Sequence, residues 1–284
     1  SGDPKPESVV LWTRVEDADA ATADLDVELE VATDEGFTML LSLDAGKAKL
    51  KALAKYDHCV KVKLAGLGAA TTYYYRFIYV KGDKNLVSHV GRTRTAPAAD
   101  ADVAVKFAFV SCQDYIGRFY NSYLLIAQED LDFVVHLGDY VYETTGDPSF
   151  QNTSGRSVTF TDQQGALALD AKGQTYYAAK SLSNYRDLYK TYRSDENLQK
   201  VHELFPMIVT WDDHEFADEL DDVVEPFDRY ADERLADFGS STRKRKRPSA
   251  CRVACSSSTR RAPTLVLGPT TAGIVSVTLR RRRR

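Results

Sequence analysis

The sequence predicts an α/β (α+β) chain: an all-β N-terminal unit, then a unit of alternating strands and helices. Three observations predict it. Residues 1–97 alternate apolar and polar side chains between turn residues. APAADAD (96–102) breaks that pattern. Beyond it, short apolar runs alternate with stretches at helical spacing.

Taken in order, DLDVELEVAT (24–33), CVKVKLAGL (59–67) and TYYYRFIYV (72–80) read as half-buried strands. LAGLGAATTYYYRF (64–77) looks like the entry to a strand of a fibronectin-type sandwich, where a tyrosine packs back at a corner. Residues 1–97 are therefore read as a small β-sandwich. VKFAFVS (105–111) and DFVVHL (132–137) are apolar enough for buried strands, and RFYNSYLLIAQED (118–130) between them has helical spacing. That rhythm implies parallel neighbours joined by a crossover helix. A polar stretch from Thr144 to about Gly173 follows. SLSNYRDLYKTYRSDENLQKVHELF (181–205) reads as one or two helices, with a helix start at Asp195, and PMIVTW (206–211) as a third buried strand. The expected units are 1–97, 103–238 and a basic, unstructured tail at 239–284, within which only VLGPTTAGIVSVTL keeps a helical or strand period.

The formal charge of −4 conceals a split. Residues 239–284 hold 13 of the 37 Lys and Arg and no acid, leaving 24 basic against 41 acidic side chains in 1–238, a net of −17. An acidic body disfavours a nucleic-acid footprint and suits multivalent cations. No run approaches the roughly 20 apolar residues of a membrane helix, and no charged-then-apolar leader opens the chain. Cys59, Cys112, Cys251 and Cys255 contain no CxxC pair, so they outline no zinc framework.

The three apolar runs each end in polar groups: Cys112-Gln113-Asp114-Tyr115, then HLGDYVYE (136–143) with Asp139 and Tyr142, then Asp212-Asp213-His214-Glu215. In a parallel sheet the carboxyl ends of strands share one edge, where ligands bind. Singly, Asp139 reads as a turn former, Cys112 as a small buried hydrophobe and Tyr142 as packing. The Asp212–Glu215 cluster is harder to reduce, because a helix cap accounts for one acid and not three. Carboxylates suit calcium, magnesium or manganese; thiolate and phenolate beside them suit ferric iron. Asp139 has two oxygens with which to bridge two ions. A metal pair of that kind activates a bridging hydroxide, and His214 would act as an acid at the leaving oxygen or orient the phosphate. His136 reads as a core residue; His58, His89 and His202 are given no role.

SGDPKPESVVLWTRV, VSCQDYIGRFYNSY, DFVVHLGDYVYETTGD and LYKTYRSDENLQKVHELFPMIVTWDDHE together resemble the PhoD-type alkaline phosphatases, within the calcineurin-like metallophosphoesterases, over residues 1 to about 235. The resemblance implies a fibronectin-like domain, then a two-sheet metallophosphoesterase β-sandwich flanked by helices and incomplete at its C-terminus. It implies hydrolysis of phosphate mono- and diesters with Fe3+ and Ca2+ in an exported protein. By that resemblance Cys112, Asp139, Tyr142 and Asp213 are metal ligands, His214 and Asp213 are catalytic, and Glu215 supports them. The family completes its site with later Asp and His ligands, yet no His follows His214 and no Asp follows Asp237. Weak or absent activity and marginal folding are therefore expected. The alternative is a non-catalytic cation-binding or adhesion module. The 144–180 insertion, which borders the Asp139 loop, is a candidate lid or substrate wall.

Overall fold

A computed structural model describes residues 1–43, 47–216 and 274–278. Fourteen strands and three α-helices are assigned there. In the first unit they are β1 (Gly2–Lys5), β2 (Ser8–Arg14), β3 (Leu25–Ala32), β4 (Ala48–Ala52), β5 (Cys59–Ala65), β6 (Thr72–Lys81), β7 (Lys84–Val87) and β8 (Gly91–Arg94). The second holds β9 (Phe107–Val110), α1 (Asn121–Ile126), β10 (Phe133–His136), β11 (Leu167–Ala171), β12 (Gln174–Ala178), α2 (Leu182–Tyr192), α3 (Glu196–Leu204) and β13 (Met207–Val209). Finally comes β14 (Ile274–Thr278).

One sheet has the order β4-β3-β6-β7, with β8 also on β6. It faces the β5-β2 end of a seven-stranded sheet ordered β14-β5-β2-β1-β13-β10-β9. The alternation of β2, β3 and β5 sends Val9, Leu11, Val27, Leu29, Val31, Val62 and Leu64 into the space between the sheets. Each is essentially unexposed, and full burial of such a side chain contributes about 2 kcal/mol. The expected tyrosine corner is present: the Tyr73 hydroxyl accepts the Gly68 N–H at 2.8 Å.

β9, β10 and β13 are parallel neighbours, as the strand–helix–strand rhythm requires, and β1 joins β13 in parallel at Gly2 and Met207. One sheet thus runs from the first 97 residues into the strands that follow. The unit boundary is laced further by Arg94–Asp132 at 2.9 Å, Arg186 to the Lys55 carbonyl at 2.8 Å and Arg92 to the Leu204 carbonyl at 3.2 Å.

The helix expected over 118–130 is only Asn121–Ile126, and its N-cap Tyr120 makes no side-chain cap hydrogen bond. The stretch 181–205 divides into two helices. Ser181 and Asn184 form a capping box on α2, and Asp195 caps α3 by accepting the Leu198 N–H at 2.9 Å. The β11–β12 hairpin was not expected. The tail expected at 239–284 lies outside the described residues except for β14, which pairs in parallel with β5; its IVSVT pattern is what an edge strand accepts.

Candidate metal centre

β9, β10 and β13 end on the same edge, and their following loops are tied together by backbone hydrogen bonds. Cys112 N–H donates to the Gly138 carbonyl at 3.1 Å, Gln113 N–H to that of Asp139 at 3.0 Å, and Thr210 N–H to that of His136 at 3.0 Å. Gly138 has φ 114°, and a Cβ there would lie 2.6 Å from both the Asp212 nitrogen and its Cβ. Only glycine permits so close a crossing. Asp139 follows in a left-handed conformation, φ 55°.

Glu215 holds this crossing. Its carboxylate accepts the N–H groups of Asp139 (3.0 Å), Asp212 (2.7 Å) and Tyr140. Burial raises its pKa, against those three donors, which lower it. One side chain therefore clamps the β10 loop to the β13 loop.

Within that frame, ligand atoms of Asp139, Asp213 and His214 all lie within 4.8 Å of one another. The Tyr142 hydroxyl donates to Asp139 Oδ2 at 3.5 Å, and its ring lies 4.0 Å from that of His214. Cys112 belongs to the same cluster. A hydrogen bond from Ser111 pulls its pKa down, but desolvation and a bond to Asp139 outweigh it and leave the thiol raised. The Tyr142 phenol is raised too, first by burial and then by the charges of Asp139 and Cys112. The structure thus gathers all five residues singled out in the sequence: Cys112, Asp139, Tyr142, Asp213 and His214. Cys112 is exposed rather than a buried hydrophobe.

The group fits a multivalent cation. Asp139 is buried, and its Oδ1 has no hydrogen-bond partner. The Tyr142 phenol and Cys112 thiol, whose ionised forms the charge of Asp139 disfavours, would be relieved by a positive ion. Oxygen, nitrogen and sulfur donors are all ordinary ligand atoms for such an ion.

Glu143 was given no role from the sequence. It is 1% exposed, and its Oε2 stands 2.8 Å from His214 Nδ1. That bond fixes the ring and directs Nε2 away from Glu143. The pair spans 71 positions, so no local pattern links them; the only available signal is an acid directly after the Asp139-x-x-Tyr142 unit. His136 is fully buried, as expected, with Nδ1 accepting the Gly138 N–H at 3.3 Å. Burial lowers its pKa to about 4. The 144–180 insertion packs beside the cluster, with the Phe150 ring 6.2 Å from that of Tyr142. Gln151 secures that turn through Asp114, Thr144 and the Asp147 N–H.

A family model described as PhoD-like phosphatase matches residues 107–248, and one described as its N-terminal domain matches residues 1–97. Alkaline phosphatase D of Bacillus subtilis (strain 168) is 38% identical over 221 residues, covering 76% of this chain and 34% of that protein. A solved structure of PhoD matches with TM-score 0.60 and 38% identity, over 75% of this chain and 38% of the other. Purple acid phosphatase from yellow lupin (Lupinus luteus) seeds matches at 10% identity and TM-score 0.41, over 74% of this chain and 34% of that one, a likeness too slight to carry weight. The chain spans about a third of the length of the curated relative it matches.

Proposed function

The chain belongs to the PhoD-like phosphatase family, and from that membership we propose that it is a phosphoric ester hydrolase acting on small mono- and diesters at the Asp139–Asp213–His214 cluster. The observation that carries this reading is the convergence of those three ligand atoms within 4.8 Å, beside a buried and unpartnered Asp139 oxygen. Cys112, Asp139 and Tyr142 would hold Fe3+, and Asp139 and Asp213 would hold Ca2+, with Asp139 common to both. Bound there, the ions supply Lewis-acid polarisation of the phosphoryl oxygen and of the attacking water.

The chain's own residues do the rest. Glu215 keeps the two loops in register through three backbone N–H groups. Glu143 holds His214 by Nδ1, and the His214 ring would hydrogen-bond a phosphate oxygen or protonate the leaving group. Tyr142 backs the His214 ring.

Among the described residues five donors are few for two ions, and ions held by few donors are held weakly, so slow turnover is part of this reading. The acidic body argues against nucleic acid as a structural partner. Among the described residues no helix is long and apolar enough to cross a membrane, and family membership supports an exported protein.

The test is to load the chain with Fe3+ and Ca2+ and follow p-nitrophenyl phosphate hydrolysis and the visible charge-transfer band of a ferric phenolate or thiolate. The expected result is a band that Tyr142→Phe weakens, with slow hydrolysis that Asp139→Asn abolishes. Exchangeable calcium with neither band nor hydrolysis would instead mark a cation-binding module.

A further inference from the structure

We propose that Trp12 and Arg193 are positioning residues for the Asp139 loop, so that the N-terminal sandwich helps to hold the site. Arg193 ends α2, and its guanidinium carbon lies 4.5 Å from the Trp12 ring centroid, 5.1 Å from that of Tyr189 and 5.4 Å from that of Tyr140. Trp12 belongs to β2 of the sandwich; Tyr140 directly follows Asp139. The column Trp12–Arg193–Tyr140 therefore crosses from the sandwich to the residue beside the candidate bridging carboxylate.

Tyr140 is bound at every polar atom. Its N–H donates to Glu215, its carbonyl accepts Gln113 Nε2 at 2.9 Å, and its hydroxyl meets His202 Nε2 at 2.8 Å and accepts Arg193 Nε at 3.4 Å. Trp12 also packs edge-on against His202 at 5.5 Å. The ring and the hydroxyl of Tyr140 are thus both linked, through Arg193 and His202, to Trp12.

This column is more than plain packing. A guanidinium is a costly filler, because taking it from water carries a penalty that a leucine or methionine would not. Stacked on ring faces it instead supplies a planar, directional contact that a lysine cannot reproduce. Asp139 also sits in a left-handed backbone conformation, less favourable for an aspartate than for glycine, so fixed neighbours help to keep it there. A rigid Tyr140 is one such neighbour.

The test is amide hydrogen exchange of the peptide spanning 137–143 in the full, metal-free chain, well below its melting temperature. Arg193→Lys and Trp12→Ala are each expected to speed exchange there about ten-fold, Trp12→Phe to stay near the parent rate, and β6 peptides to be unaffected. Unchanged exchange at 137–143, or an equal rise in β6, would overturn the proposal. That Asp139 and its neighbours are cation ligands is the reading this rests on, and a manganese(II) titration tests it apart. Faster exchange in a chain that binds no ion would leave the positioning role standing and remove the ligand role. Bound ion with about ten-fold weaker affinity in Arg193→Lys supports both.

Discussion

The sandwich and the site-bearing strands use similar apolar sequences to opposite effect. In the sandwich, Val9 and Leu11 of β2 face Leu29 and Val31 of β3 across two sheets, and all four are unexposed. In the site-bearing part, the pairings of Phe107 with Phe133, Val135 with Phe109 and Val135 with Ile208 line up one whole face. Its opposite face, with Val134 and Met207, packs on Tyr123, Val201 and Phe205. Among the described residues the first face stays open: Phe107 is 52% exposed and Phe109 70%. A strand apolar on both sides is built to be covered twice, yet the described residues cover it once. The candidate metal centre lies at the rim of this half-covered sheet, so the sandwich beside it matters more than its distance along the chain suggests.

The largest effect should come from the closed half. Leu11→Ala opens a void between two sheets that cannot collapse, and is expected to cost about 3 kcal/mol in urea unfolding. A loss below about 1 kcal/mol would mean that the sandwich is no tighter than the site-bearing sheet.

Acid should strike the other half. The folded pKa of His136 is about 4, lowered by burial from 6.5, and His202, in contact with Tyr140, is lowered by burial as well. A depressed histidine pKa means that the unfolded chain binds the proton first. Stability from His136 is thus fully present above pH 6.5 and is lost as pH falls from 6.5 towards 4, by up to about 3 kcal/mol. Melting temperature measured at pH 7, 6 and 5 is expected to fall steadily, and less steeply in His136→Asn. Parallel slopes in the two proteins would remove His136 as the source.

The strands and the edge they share were legible because each apolar run stops abruptly at acids or a thiol, as at Val110-Ser111-Cys112 and Trp211-Asp212. The β11–β12 hairpin was not, because GALALDAKGQTYYA is only weakly apolar. Its signal was local: Lys172 and Gly173 both have positive φ, the requirement of a two-residue hairpin turn. The Glu143–His214 pair left only the faint signal of an acid after Asp139-x-x-Tyr142, and the Trp12–Arg193–Tyr140 column could not be read. Both depend on how distant elements rotate against each other, and neither a buried acid nor an arginine in a polar helix shows its partner in its neighbours. The short α1 fails for a different reason: spacing favoured a longer helix, but Gly117 just before that stretch has a positive φ of 68° and the N-cap Tyr120 makes no side-chain cap bond.

The smallest effect isolates the open face. Phe109 points outward from β9, so Phe109→Thr deletes an aromatic ring that folding barely removes from water, and the stability change is expected to stay within about 0.5 kcal/mol. Threonine also keeps the strand preference of a branched side chain. Val134 stands one pairing away, opposite Ala108, on the covered face, unexposed. Val134→Thr, a nearly isosteric change, buries a hydroxyl there and should cost about 1–3 kcal/mol. What Phe109→Thr should alter is association, since an exposed apolar face on an edge strand invites pairing between copies. Light scattering at rising protein concentration is expected to drop in Phe109→Thr. A stability loss equal to that of Val134→Thr would instead mean that something covers Phe109 in solution, and the contrast between the two halves would close.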